Sequence, residues 1–536
     1  MMDRRLLIAL WVFAALTTGI LFAANLLLGE VNQDEGWYLY AARLVHEGRL
    51  PYVDFAFTQG PVMAYTYALG WPLVDRWGVA GGRLITALLG VACCAGAAIL
   101  AARLAASGRK PLAALLAFTF VGVNVYQSYF TTLVKTYALT GLLLTAGFIA
   151  LTFLRGRRGW LAALAAGTLF SLATATRSSA GMILPVVLTF LLFRRRSWSP
   201  VREGPSLAWF WFGLGAGATG LAVFLPFLAT SPQTILFGLV RYHAGRDLGG
   251  ALQIAVYKAG FISRQFQAYF VPAGLALILL AMRATRGRSD GDPGAAPAMR
   301  SAWEPVLWAG CLAVTLIHLA APFPYDDYQT ILFPLAAAAL GAALARRWGR
   351  DGAAATAVSV LLLCGAAALS SPRNQDWFVG RRDRIWWPVR TASSLAKLQA
   401  AGKTLRALAA PGDRLLTQDA YLAVESGLRL PQGLELGPFS YFPDLPTGEA
   451  RMQHVVNRAM MRDLIEAADA PVAALSDWSF AIRLPSVSRV GSEESGELWR
   501  DVEKHYRRVG EVDGFGHADT TLRLYRRREA ADAPAR

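Results

Sequence analysis

The chain has 536 residues, enough for three or four soluble domains by length, yet 54% are hydrophobic, 17% are charged and the mean hydropathy is +0.36. A soluble chain cannot bury that much apolar surface, so an all-soluble organisation is excluded. The formal net charge of +16 would raise nucleic acid as a partner, but from Pro372 onward 24 Lys+Arg face 22 Asp+Glu, leaving 29 against 15 in the apolar part, so the excess belongs to loops between apolar segments and not to a nucleic-acid surface.

In chain order, about eleven stretches read as membrane helices, given that about 20 residues cross a hydrocarbon core: residues 6–28, 84–104, 111–125, 134–154, 160–176, 180–193, 207–229, 268–282, 305–321, 330–344 and 353–370. The first is too long for a signal-peptide core and reads as a retained anchor. Alternating connections test the assignment. One set, from Arg4 and Arg5 through Arg103 and Arg109 to Arg346, Arg347 and Arg350, holds 19 basic residues in mostly short loops, against ten in the other set. The positive-inside rule then predicts a cytoplasmic N-terminus and, after an odd number of crossings, an extracytoplasmic tail. The predicted organisation is a polytopic α-helical membrane unit at 1–370, with its first external loop at 29–83, followed by an extracytoplasmic α/β domain at 371–536.

All four cysteines, Cys93, Cys94, Cys311 and Cys364, fall inside predicted membrane helices, so no disulfide is expected. Residues 289–298 form a Gly/Pro/Ala linker. In the tail, β-like runs at 414–417, 471–475 and 521–525 alternate with helix-like stretches at 392–408, 450–468 and 496–506, the pattern of a small α/β domain.

The loops predicted to lie outside carry the unusual residues. After the first helix come Asp34, Glu35, Gly36, Trp37 and Tyr38, then Gly48-Arg49-Leu50-Pro51-Tyr52-Val53-Asp54-Phe55. Trp37, Tyr40, Ala41 and Leu44 share one helical face, and Gly48 and Pro51 stop the run, so this reads as a short amphipathic helix lying on the membrane surface. Its two leading acids would serve equally as a cap that offsets the helix dipole or as chemistry at a cavity mouth.

The Asp-Glu-Gly-x-Tyr pattern after the first membrane helix, followed by Gly-x-Leu-Pro-Tyr-x-Asp-Phe, resembles the first external loop of the protein mannosyltransferase-like glycosyltransferases. These belong to the C-type integral-membrane (GT-C) superfamily, which also contains the aminoarabinose transferases of lipid A. The resemblance extends to Thr176-Arg177-Ser178-Ser179-Ala180-Gly181, to Tyr328 through Leu335, and to the plan of about a dozen helices with an external C-terminal domain.

The resemblance implies an inverting transfer of a sugar from a polyprenyl-phosphate donor to a lipid, glycan or protein acceptor on the extracytoplasmic side. Such transfer needs a carboxylate to take the acceptor hydroxyl's proton and cations to meet the departing phosphate. Carried over by position, Asp34 would be the base and Glu35 its partner, orienting the acceptor or sharing charge. Tyr38 and Asp54 match the same loop pattern as substrate-side candidates. Arg177 stands where relatives place a lysine and would meet the phosphate. Lys135, expected to begin the fourth helix, replaces an acid that many relatives carry nearby, and joins the cationic candidates together with Arg241, His243 and Arg246 of a long external loop. Tyr325, Asp326, Asp327 and Tyr328 suit sugar hydroxyls and faces; a divalent cation is a possible further partner there. His318 reads as a packing residue, and Gly213, Gly215 and Gly217 as close helix packing.

A transporter of lipid-linked sugars, or a catalytically inactive relative that only binds, is the competing reading. A transporter predicts charges buried mid-helix, whereas these spans are nearly charge-free and the acids lie in loops.

Overall fold

The structure, a computed structural model, describes residues 3–154, 158–193, 207–244, 250–286, 303–321, 324–348, 352–378, 392–480, 491–516 and 520–528. Each of the eleven apolar stretches is wholly or mainly helical. The first, α1 (Arg4–Leu28), starts where the Asp3 carboxylate accepts from the Arg5 amide. Among the described residues, five helices are long and apolar enough to cross a membrane: Arg4–Leu28, Val79–Leu104, Ala208–Thr230, Trp303–Ala320 and Ala353–Ser370. The pair Ala251–Ala268 and Phe270–Met282, bent by 92°, makes a sixth if it is one span. Tyr137–Leu151, Gly159–Thr174 and Ser178–Phe193 are shorter apolar helices. By length and composition, therefore, five or six spans meet this test among the described residues, and the chain is an integral membrane protein.

Small residues let the helices approach closely. A Cβ on Gly215 would run into the Leu164 carbonyl, which marks the contact between Ala208–Thr230 and Gly159–Thr174; Gly213 and Gly217 instead face open space. At one end of the bundle, cations from the 19-residue set bridge helices. Arg109 donates to the Arg346 carbonyl at 2.6 Å, Arg346 pairs with Glu304 at 2.7 Å, and Arg103 donates to Thr152 at 3.0 Å.

At the opposite end the helices stop short and leave irregular backbone. Residues 131–136 separate Val125–Phe130 from Tyr137–Leu151, a turn at 175–176 follows Gly159–Thr174, and a tight turn at Asp326–Ile331 precedes Phe333–Trp348. Lys135 thus sits in a break and not at a helix start. Every residue from 131 to 136 is buried, and buried protein surroundings are what non-helical backbone at membrane depth requires.

The tail contains the expected strands and one more. Its sheet runs in the order β1 (Leu415–Leu416), β2 (Val472–Ser476), β4 (Thr520–Arg527), β3 (Tyr506–Phe515), with β1 parallel to β2 and the other pairs antiparallel. Strand β3 escapes the sequence reading because it is a largely exposed edge strand whose charged and polar residues carry no apolar alternation. The predicted helix at 450–468 is two, Thr447–Met452 and Arg458–Ala467, the second capped by Asn457.

The helix after α1, α2 (Gln33–His46), is not a surface helix. Residues 35–42 and Leu44 are all buried, because the tail covers the face that the bundle does not. A Cβ on Gly36 would run into the backbone nitrogen of Tyr421. Arg43 donates to the carbonyls of Leu428 and Gly427 at 2.8 and 3.1 Å, and the Leu430 amide donates to the Tyr40 hydroxyl at 2.9 Å. The buried apolar residues of the first loop therefore share one core with those of the tail, from Leu395 to Tyr525.

Candidate active site

The two acids at the start of α2 have different surroundings. Adjacent helical residues point about 100° apart, so one turns inward while the other stays partly exposed. Glu35 turns inward. It completes a capping box, accepting from the Asn32 amide at 2.9 Å while Asn32 accepts from the Asp34 amide. Arg83 grips the same carboxylate through two bonds of 2.7 and 2.8 Å, and the Val134 amide adds a third at 3.3 Å. Both side chains are 0% exposed, and Arg83 also donates to the carbonyls of Leu26, Gly29 and Glu30. Glu35, expected to orient the acceptor or share charge, has its carboxylate on Arg83, where it ties α1, α2 and the Val79–Leu104 span together. In the sequence, Arg83 is one of the ten basic residues of the less basic set of connections. An arginine in the first turns of an apolar span was the available signal, since it can be buried there only with a partner.

Asp34 is 27% exposed. Its Oδ1 accepts from the Trp37 indole at 3.3 Å, and its Oδ2 lies 3.2 Å from Lys135 Nζ. The same ammonium is 3.0 Å from Asp327 Oδ2. Three residues far apart in sequence thus form one carboxylate–ammonium–carboxylate array.

Arg177 lies beside this array in extended backbone after the turn at 175–176. Its guanidinium is sandwiched between the rings of Tyr328, 4.3 Å from the centroid, and Tyr137, 4.9 Å, and donates to Thr136 Oγ1 at 3.2 Å. Its Nε is buried without a hydrogen-bond partner, as is Asp327 Oδ1. Tyr38 stacks on Trp37 at 3.8 Å and faces the same charges. Burial, and then the Asp34 carboxylate, push its phenol well above the usual range, so it stays a neutral donor. Tyr137, two residues from Lys135, is the aromatic contributor that the sequence reading missed. His318 binds Ser179 Oγ at 2.8 Å and packs on Tyr328.

The remaining candidates lie apart from the array. Asp54 accepts from the Leu50 amide at 2.7 Å and so closes its own turn. His243 is bonded to the Thr58 carbonyl at 2.9 Å, and Arg241 is exposed. Tyr325 stands at the rim, 49% exposed and 5.5 Å from Tyr328. Asp326 contributes its backbone to the turn before Tyr328, and Arg246 lies outside the described residues. A cavity of about 920 Å³ opens at the other end of α2, between Trp71, Trp77, Lys403 and Glu425, and no candidate residue lines it.

A divalent ion does not fit this arrangement. Such ions need several oxygen ligands, yet the space between Asp34 and Asp327 is taken by Lys135 Nζ, and among the described residues no three His, Cys, Asp or Glu side chains converge.

The bundle, with helix breaks at one end and a mixed domain docked over them, shares its overall fold with solved structures. The crystal structure of ArnT from Cupriavidus metallidurans bound to undecaprenyl phosphate matches with a TM-score of 0.59 and 16% identity, over 98% of this chain and 99% of that one. The apo state of the same protein matches equally, over 98% of both chains. An oligosaccharyltransferase of Archaeoglobus fulgidus matches at a TM-score of 0.48 and 12% identity, over 99% of this chain and 75% of that one. No family model and no curated protein matches the sequence. The shared fold carries no mannosyl preference.

Proposed function

We propose that the protein is an inverting glycosyltransferase that moves a sugar from a polyprenyl-phosphate carrier to an acceptor hydroxyl on the extracytoplasmic side. The observation that carries this reading is the convergence of a partly exposed carboxylate, Asp34, with two cations, Lys135 and Arg177, and three tyrosines at one end of the bundle. The fold shared with a protein seen with undecaprenyl phosphate adds support, and the loop charges favour the extracytoplasmic side.

In the proposed step Asp34 takes the proton of the acceptor hydroxyl as its oxygen bonds to the anomeric carbon. The bond from that carbon to the phosphate oxygen breaks, and the electron pair leaves with the phosphate. Asp34 loses its charge as the phosphate gains one, so Lys135, 3.2 Å from Asp34, turns toward the phosphate. Arg177 has a donor without a partner to offer the same anion. Tyr38, Asp327 and Tyr328 would hold sugar hydroxyls and faces.

The test uses the full chain in proteoliposomes with radiolabelled undecaprenyl-phosphate sugars and membrane acceptors. Asp34→Asn is expected to lower covalent transfer by about 10²–10⁴-fold with normal expression. Near-wild-type transfer would remove Asp34 as the base, and label crossing the bilayer without covalent transfer would identify a transporter instead.

A further inference from the structure

Asp34 on α2 and Asp327 in the turn at Asp326–Ile331 present their carboxylates to one ammonium, 3.2 and 3.0 Å away. Two carboxylates sharing a partly buried site repel one another unless a cation stands between them, and a divalent ion bound by both is one way to supply it. Here the cation is part of the chain. Lys135 Nζ lies 5.5 and 5.6 Å from the ring centroids of Phe130 and Tyr137, and its side chain is 9% exposed. It is rooted in the buried break at 131–136, where Thr131 and Thr132 donate to the carbonyls of Gln127 and Ser128 at 2.7 Å each. With Arg177 adjacent, the array holds two acids and two cations. An incoming divalent ion would have to displace the ammonium and leave it buried without a partner, beside an arginine that already repels it.

We infer that Lys135 is a tethered substitute for a divalent cation: it holds Asp34 and Asp327 in one site, and that site neither binds nor needs a metal ion. The binding half stands on geometry alone; that sugar transfer proceeds without metal rests on the glycosyltransferase reading.

The full chain in lipid nanodiscs, stripped with EDTA, is titrated with Mn²⁺ and read by electron paramagnetic resonance. The wild type is expected to show no Mn²⁺ uptake that Asp327→Asn removes. Lys135→Met keeps an apolar stem but leaves two facing carboxylates, and is expected to gain a site at least about tenfold tighter than any in the wild type, lost again on adding Asp327→Asn. A wild-type site abolished by Asp327→Asn would overturn the inference, as would a folded Lys135→Met variant that gains none. If Lys135→Met does not fold, the wild-type comparison with Asp327→Asn decides alone. In the transfer assay, EDTA should leave the wild-type rate unchanged, and a rate lost to EDTA and restored by Mn²⁺ would also overturn it. Absence of transfer under every condition counts against the glycosyltransferase reading only, since the Mn²⁺ titration does not depend on it.

Discussion

Adjacency in sequence gives Asp34 and Glu35 no common role, and variants should separate them. Glu35→Gln leaves Arg83, fully buried, without its counter-charge. Breaking such a pair from one side costs about 3–5 kcal/mol, so a lowered melting temperature in detergent is expected, with transfer lost only through the fold. Asp34→Asn, by contrast, leaves Lys135 paired with Asp327 and should shift stability by no more than about 1 kcal/mol. Equal melting temperatures for the two variants would contradict the division. Arg177→Lys keeps the charge but removes the planar group that lies between Tyr137 and Tyr328. We expect donor kcat/KM to fall by about 10²-fold or more, as for loss of one transition-state donor, with acceptor KM little changed. The sequence made Asp34, Lys135, Arg177, Asp327 and Tyr328 legible as chemically unusual residues in loops. It did not show that Lys135 stands between two of the others, because contacts across 101 and 192 positions leave no local pattern.

Helix α2 illustrates how a periodic pattern can be read correctly and placed wrongly. Its apolar stripe is present, but the opposite side is buried too, because Gly36 admits the backbone of Tyr421 and Arg43 reaches carbonyls in the tail. Gly36→Ala would force those backbones apart and should loosen the tail, seen as faster proteolysis of the 392–480 region. Near the same contact, burial pushes the Glu435 carboxyl up to about 7 from an ordinary 4.5. The folded protein then keeps a proton that the unfolded chain releases, so stability falls as pH rises from about 4.5 to about 7 and levels off above it. Glu435→Gln, which stays neutral, should flatten that part of a melting-temperature profile; an unchanged slope would place its origin elsewhere.

At the scale of the whole molecule, the apolar residues form two clusters, one within the bundle and one shared by the first loop and the tail. Polar ties reinforce the second: Ser394 donates to Glu30 at 2.6 Å, and the Val79 amide to Glu425 at 2.7 Å. Deleting residues 392–536 should therefore expose the tail-facing side of α2 and destabilise the Asp34 site, rather than release an intact membrane unit. Recovery of a monodisperse truncated chain with wild-type thermal stability would refute this. Composition and hydropathy by themselves determined a membrane protein with a mixed α/β tail, because burial in lipid demands long apolar runs and strands demand β-like ones. The first-loop pattern pointed to the fold and to Asp34. Only the tertiary structure decided that Glu35 pairs with buried Arg83, that Lys135 joins Asp34 to Asp327, and that the tail covers α2, because each depends on backbones brought together from distant segments, which no local periodicity records.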